Sequence, residues 1–160
     1  MGISFLFAGL FAYVVIQDWD TNALHYPFSE THIIYGDKEI KTVKYWDRHA
    51  PRLIREQKYE NDILIKETRY QNGNKTSESH YVYGDKNIRT VKSWDQFGRF
   101  YGQSKYENGH LLYRKAWYEN GQLQSEHNYE GGKRINFKTW NEDGTLIKEE
   151  KYENGVLIKE

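Results

Sequence analysis

The chain has 160 residues, the size of one ordinary domain, and its 23 Lys and Arg side chains balance its 23 Asp and Glu side chains. This balance argues against binding driven by nucleic-acid phosphates or by anionic membranes, and the absence of Cys excludes disulfides, thiolate metal sites and cysteine nucleophiles. Aromatic residues make up 16% of the chain. Disordered segments are poor in such residues, so the composition indicates a folded, β-rich protein.

The chain begins with an apolar run, residues 3–16, that contains no charged side chain. In helical form this run would span about 21 Å, which is less than the roughly 30 Å of a bilayer core. Its length matches the apolar part of a signal peptide, although no Lys or Arg precedes it. We therefore predict a helical signal or anchor segment over residues 1–16 and an exported or membrane-anchored protein of the cell envelope, rather than a cytoplasmic one. Packing of this segment on the rest of the chain is the alternative.

A polar connector is predicted over residues 17–30, and a repeat domain over residues 31–160. Residues 34–47 and 82–95 are identical at ten of fourteen positions, at an offset of 48. A match of this length indicates an internal duplication. No segment rich in Pro, Gly or Ser divides the repeats.

Within the repeat domain the phrase Tyr-x-Asn-Gly returns, at residues 70–73, 106–109, 118–121 and 152–155. Asn-Gly and related dipeptides accept positive φ at both central positions of a type I′ turn, which joins antiparallel strands tightly. Turn glycines recur every 11 to 14 residues, which leaves too little chain for a crossover helix, so each strand must pair with its sequence neighbour. These glycines are Gly73, Gly84, Gly98, Gly109, Gly121, Gly132, Gly144 and Gly155.

The phase of the apolar residues predicts the two faces of the sheet. Leu or Phe often stands two residues after the turn Gly, and an aromatic residue follows six positions later. Since six is even, both ends of a strand point to the same face. We predict an all-β fold, an elongated single-layer antiparallel β-meander of hairpin repeats. One face carries an apolar row near each rim with small or polar residues between, and the other face is polar.

The doubled unit at residues 106–126, YENGHLLYRKAWYENGQLQSE, resembles the MORN-variant repeats of bacterial YwqK-type proteins. The similarity covers residues 59–160 well and residues 31–58 loosely. The resemblance implies a sheet of hairpins, with antitoxin or immunity functions for some members and an envelope location for others. The apolar N-terminus is a departure from the family pattern, and it argues against the role of a cytoplasmic antitoxin.

Motifs for catalysis are missing from the sequence. None of the six His residues forms a pair at ligand spacing, and there is no phosphate loop and no Gly-x-Ser-x-Gly elbow. Carboxylates at the turns recur with the repeat, which is typical of a solvated position rather than of a single active site. We therefore expect a protein without enzyme activity, metal or cofactor.

The favoured function is a protein-interaction module whose partner is a toxin-like protein or an envelope component, and not a nucleic acid. A single-layer sheet leaves an aromatic row partly exposed, and such rows mark binding surfaces. A membrane-tethered spacer, with membrane contact only through residues 3–16, and a carbohydrate-binding sheet are the alternatives. The last strand also leaves edge-to-edge pairing of two copies open. The candidate interaction residues are Trp94, Tyr106, Trp117, Tyr129, Trp140 and Tyr152.

Overall fold

The computed structural model describes residues 2–8, 11–19, 27–35, 37–47 and 49–158, and these form one open antiparallel sheet of fourteen strands in chain order. The predicted all-β meander of hairpins is confirmed. The strands are β1 Gly2–Ala8, β2 Phe11–Trp19, β3 Pro27–Tyr35, β4 Ile40–Trp46, β5 Leu53–Glu60, β6 Ile63–Gln71, β7 Asn74–Val82, β8 Ile88–Trp94, β9 Phe100–Glu107, β10 His110–Trp117, β11 Leu123–Glu130, β12 Lys133–Trp140, β13 Leu146–Glu153 and β14 Val156–Ile158.

In its described residues, 2–8 and 11–16, the apolar N-terminal segment forms strands, contrary to the helix predicted for residues 1–16. Strand β1 pairs antiparallel with β2, from Gly2 opposite Gln17 to Ala8 opposite Phe11, and β2 pairs in turn with β3. A short apolar run has no periodicity that separates helix from strand, and the Ile, Val, Phe and Tyr of this run favour a strand. Across the described residues, no helix has the length and apolar character to cross a membrane.

Strand structure also enters the predicted connector, residues 17–30, from both sides. Strand β2 continues to Trp19, and β3 begins at Pro27. Residues 20–26 lie outside the described residues.

The Cα positions divide the chain into two compact units, Met1–Glu78 and Ser79–Glu160, called here the N-terminal and C-terminal units. Within each unit, contacts between the described strands join neighbours in the sequence. The C-terminal unit contains all six candidate interaction residues.

Two kinds of hairpin alternate along the C-terminal unit. Tight turns have positive φ at both central residues, as at Asn108 (48°) and Gly109 (82°), which confirms the predicted type I′ geometry there. Wider loops have only a Gly with positive φ, as at Gly98, whose N–H donates to the Asp95 carbonyl at 3.0 Å. Gly84, predicted as a turn glycine of the same series, is not among the glycines with positive φ.

This alternation makes the structural repeat a pair of strands, 23 residues long. The wide-loop glycines Gly98, Gly121 and Gly144 are spaced by 23, and so are the tight-turn glycines Gly109, Gly132 and Gly155. Wide loops therefore fall on one edge of the strands and tight turns on the other.

The sheet has no thick core. Among residues 29, 31–34, 37–47 and 49–158, whose burial the structure describes, no hydrophobic side chain is buried, and only Glu67, Thr68 and Gly102 are. A second layer would bury one face of the strands, so this part of the chain is a single layer. Its stability comes from backbone ladders and cross-strand side-chain pairs, which contribute roughly 0.2–1 kcal/mol each.

Candidate functional surface

Register fixes which side chains share a face in the C-terminal unit. Val91 pairs with Ser104, Ser104 with Arg114, Arg114 with His127, and His127 with Phe137. Directly paired residues and residues two apart along a strand point to the same side. We call this side of β8–β13 the aromatic face, because all six candidate interaction residues belong to it.

Three of the candidate residues, Trp94, Trp117 and Trp140, line the rim beside the wide loops. Each follows a β-bulge, and each pairs with the first apolar residue of the next strand, at Phe100, Leu123 and Leu146 respectively. The Phe100 ring lies between two of them, with its centroid 5.7 Å from that of Trp94 and 4.9 Å from that of Trp117. The bulge recurs with the repeat and re-aims the Trp onto the aromatic face.

The other three candidates, Tyr106, Tyr129 and Tyr152, line the rim beside the tight turns. Two of them carry an arginine: the guanidinium of Arg89 lies 4.3 Å from the ring centroid of Tyr106, and that of Arg134 lies 4.3 Å from Tyr152. Such stacking holds a cation against an apolar surface while its charge remains available.

Arg134 belongs to a small polar cluster at this rim. It donates a 2.6 Å hydrogen bond to the Tyr152 hydroxyl, which donates in turn to Glu150 at 2.6 Å. Lys148 forms a 2.7 Å ion pair with the same carboxylate. The hydrogen bonds from Lys148 and Tyr152 lower the pKa of Glu150, so its negative charge is held within the cluster.

His127 lies between the two rims, with its ring 4.5 Å from that of Phe137. Burial lowers the pKa of His127, and the charges of Arg134 and Arg114 lower it further. The imidazole is therefore neutral at pH 7.

The centre of the aromatic face holds a hollow of about 290 Å³. Gly102 and Ala116 pair directly across β9 and β10 and form its floor, while Tyr106, Leu111 and Arg114 stand around it. A Cβ at Gly102 would lie in ordinary van der Waals contact with the Ser93 Cβ at 3.7 Å and the Lys115 carbonyl at 3.8 Å, so a small side chain would fit at this position without a clash.

The polar face on the other side of the same strands is a ladder of paired charges. Lys115 lies 3.2 Å from Glu126, and Lys138 lies 3.0 Å from Glu149. Gln103 extends the row by donating a 2.8 Å hydrogen bond to the Tyr113 hydroxyl. Charged side chains of this face are thus paired with one another across the strands.

Charge is distributed unequally between the two faces. Along β8–β13 the aromatic face carries one acidic side chain, Glu150, and four basic ones. The zero net charge of the chain therefore conceals a cationic aromatic face. The four basic residues are Arg89, Arg114, Arg134 and Lys148.

The duplicated strands of the N-terminal unit have the same register but a filled centre. Lys41 stacks on Tyr59 at 4.9 Å, as Arg89 does on Tyr106, but Arg55 takes the place of Gly102 and stacks on Tyr45 at 4.0 Å. The position equivalent to Arg114 is occupied by the carboxylate of Glu67. The hollow is thus a property of the second copy.

Glu67 is buried and only 8% exposed. Gln57 donates to it at 2.7 Å, and Arg69 donates to it at 2.8 Å. The Tyr59 hydroxyl completes the network with a 3.0 Å hydrogen bond to Gln57. The first copy therefore fills the centre of its face with its own acidic side chain.

Glutamates of the repeated turns have specific partners rather than solvent alone. Glu107 pairs with Lys86 at 2.9 Å, and Glu60 pairs with Lys38 at 2.6 Å, in equivalent places of the duplication. Glu119 pairs with Arg99 at 2.5 Å. In the described residues no group of His, Asp and Glu has the arrangement of a metal site.

The sequence pattern predicted that the six aromatic residues share one face, but it did not predict the arginines that lie among them. The 23-residue period carries the signal, because Arg134 occupies the place that Leu111 and Leu157 hold in the neighbouring repeats. No protein-family model matches the chain, and no curated protein matches it either.

Proposed function

We propose that the chain is a non-enzymatic binding module that engages another protein through the aromatic face of β8–β13. The observation that carries this proposal is the hollow lined by Gly102 and Ala116, flanked by the two aromatic rims. Concave apolar surfaces with a few convergent polar groups are where proteins take ligands. Trp and Tyr are also the side chains that most often dominate binding energy at protein interfaces.

Two features support a binding role over a purely structural one. Stability of a single-layer sheet needs cross-strand packing, and a filled centre like that of the N-terminal unit supplies more of it. The C-terminal unit instead keeps Gly102 at the centre, although Gly weakens a strand. Tyr106 and Leu111 supply apolar surface to the lining of this hollow.

The kind of partner follows from the resemblance to MORN-variant repeats of YwqK-type proteins. That resemblance favours a toxin-like protein, neutralised by the module, or a component of the cell envelope. Membership of this family, the envelope location and the pairing of two copies through their edge strands are parts of the same proposal. A tethered spacer is the competing function.

Photo-crosslinking in the native cell tests the binding role. A benzophenone amino acid replaces Ser125, on the aromatic face, or Gln124, its neighbour on the polar face. We expect a discrete crosslinked partner from position 125 and a much weaker yield from position 124, because only the first faces the hollow side.

The outcome distinguishes the two functions. Equal yields at the two positions, or no adduct at either, would favour the spacer. Circular dichroism of both purified variants checks that the substitution leaves the sheet intact.

A further inference from the structure

The hollow of the aromatic face carries an inference about the chemistry of the partner. We propose that it receives an Asp or Glu side chain from an extended acidic segment of a partner polypeptide, with Arg114 as the ion-pair partner. This inference rests on the proposed function, because it assumes that the aromatic face binds a protein.

The guanidinium of Arg114 forms no ion pair with a carboxylate of the described residues. Its side chain is exposed at the edge of the hollow, and its cross-strand neighbours are Ser104 and His127. A guanidinium beside such a hollow is well suited to bind a carboxylate, because its planar fork matches the two oxygens.

The internal duplicate shows how the same surface holds a carboxylate. In the N-terminal unit Glu67 occupies the position of Arg114, and it lies buried between Gln57 and Arg69. Its carboxylate thus sits at the centre of the face, between the two rims. In the C-terminal unit the acid is absent and the basic residue stands in its place, so an acid from outside restores the pairing.

Charge complementarity extends beyond this one contact. With four basic side chains and one acidic side chain, the aromatic face attracts an acidic segment along its length. Glu150 does not compete for the partner's place, because Lys148 and Tyr152 already hold it. Tyr106 and Leu111, which border the hollow, can pack against an apolar residue next to the acid in the partner.

A polypeptide fits these observations better than a nucleic acid. Affinity for nucleic acid depends on many phosphate contacts, and single strands track a continuous basic groove. Here the cations are four, two of them are stacked on tyrosines, and the polar face has balanced pairs. The volume of about 290 Å³ also suits one or two side chains rather than a run of bases.

Selection from a phage-displayed library of random dodecapeptides on the full-length protein tests the inference. We expect the selected peptides to share an Asp or Glu next to an apolar or aromatic residue. In titrations with a selected peptide, Arg114→Glu weakens binding between about tenfold and a hundredfold, the range of a charge-assisted hydrogen-bonded pair.

Lys92→Glu is the matched control, because it makes the same charge change at an exposed strand residue of the polar face. It should leave the affinity within about twofold, since an exposed charge on the far side is screened by salt. Changing the acid of the peptide to Lys should restore binding to Arg114→Glu. Arg114→Gln serves where the Glu variant does not fold.

Each other outcome has a defined meaning. Peptides without acidic enrichment, or equal effects of Arg114→Glu and Lys92→Glu, would overturn the inference. If the Ala116→Trp substitution, which fills the hollow, still weakens binding of the selected peptides in either case, the proposed function stands and only the acidic character of the partner is wrong. Oligothymidine binding that depends on Arg114 would assign the site to single-stranded nucleic acid instead. A library without binders, or binders indifferent to Ala116→Trp, would count against both proposals.

Discussion

A single Asn in the repeated turn performs two tasks at once. Asn108 adopts φ of 48°, the left-handed region that non-Gly residues other than Asn and Asp rarely enter. Its Oδ1 also accepts a 2.9 Å hydrogen bond from the Asn87 N–H, while its own N–H donates to the Asn87 carbonyl at 2.8 Å. Asn61 and Glu39 repeat this exchange in the N-terminal unit.

Two substitutions at this residue separate the two tasks. Asn108→Gly keeps the freedom for positive φ but loses the side-chain hydrogen bond, and should lower the free energy of unfolding by about 1 kcal/mol. Asn108→Ala loses both the hydrogen bond and the tolerance of positive φ, and should lower the free energy of unfolding by about 1 kcal/mol more. Urea unfolding followed by Trp fluorescence measures the order. An Ala variant as stable as the Gly variant would show that backbone strain contributes little.

At the scale of the residue, spacing along a strand predicts the face to which a side chain points better than it predicts the side chains that it contacts. The even separation of Phe100 and Tyr106 was enough to place both on one face. The partners of the aromatic residues depend on cross-strand register, which the bulges shift, for example between Ser93 and Trp94. A sequence pattern does not fix such a shift, so it does not predict the stacking of the Arg89 guanidinium on the Tyr106 ring.

At the scale of the element, identical sequences form different turns. Tyr-Glu-Asn-Gly makes a type I′ turn at residues 106–109, with positive φ at both Asn108 and Gly109. At residues 118–121 only Gly121 has positive φ, and its N–H donates to the Tyr118 carbonyl at 3.0 Å. The second phrase comes after the bulge at Trp117, and its Tyr118 hydroxyl donates to the Trp140 carbonyl at 2.9 Å.

The same limit explains the wrong prediction for the N-terminus. The turn signals of the repeats predicted strands reliably, because Gly at short regular spacing excludes helices. Residues 3–16 have no polar alternation, and only their pairing partner β3 distinguishes a strand from a helix.

The two-strand repeat predicts which deletions the fold accepts. Removal of residues 110–132 takes out one period of 23 and joins Gly109 to Lys133, so each remaining turn stays on its own edge. Removal of residues 110–121 takes out one strand and moves later tight turns to the edge of the wide loops. We expect the longer deletion to unfold cooperatively, and at higher temperature than the shorter one.

Thermal unfolding followed by circular dichroism compares these two variants. Repeat proteins lose stability roughly in proportion to the repeats removed, so a simple loss of contacts would favour the shorter deletion. A more stable 110–121 deletion would therefore contradict the alternating repeat.

At the scale of the whole molecule, the two faces of β8–β13 are not equivalent. The polar face is occupied by its own ion pairs, such as Lys115 with Glu126. The aromatic face of the C-terminal unit presents a cationic surface around an unfilled centre. The sequence predicted the architecture and the aromatic face, whereas the hollow and the charge asymmetry depend on the cross-strand register of β8–β13.

The chain contains no Cys, so single cysteines can report on each face without interference. Ser104→Cys places a thiol on the aromatic face beside the hollow, and Lys92→Cys places one on the polar face. In the free folded protein, both should react with a maleimide within about tenfold of the rate in the unfolded chain, because neither site needs local unfolding to be reached. Strong protection of Ser104→Cys alone would show that a second layer covers the aromatic face, and would contradict the account.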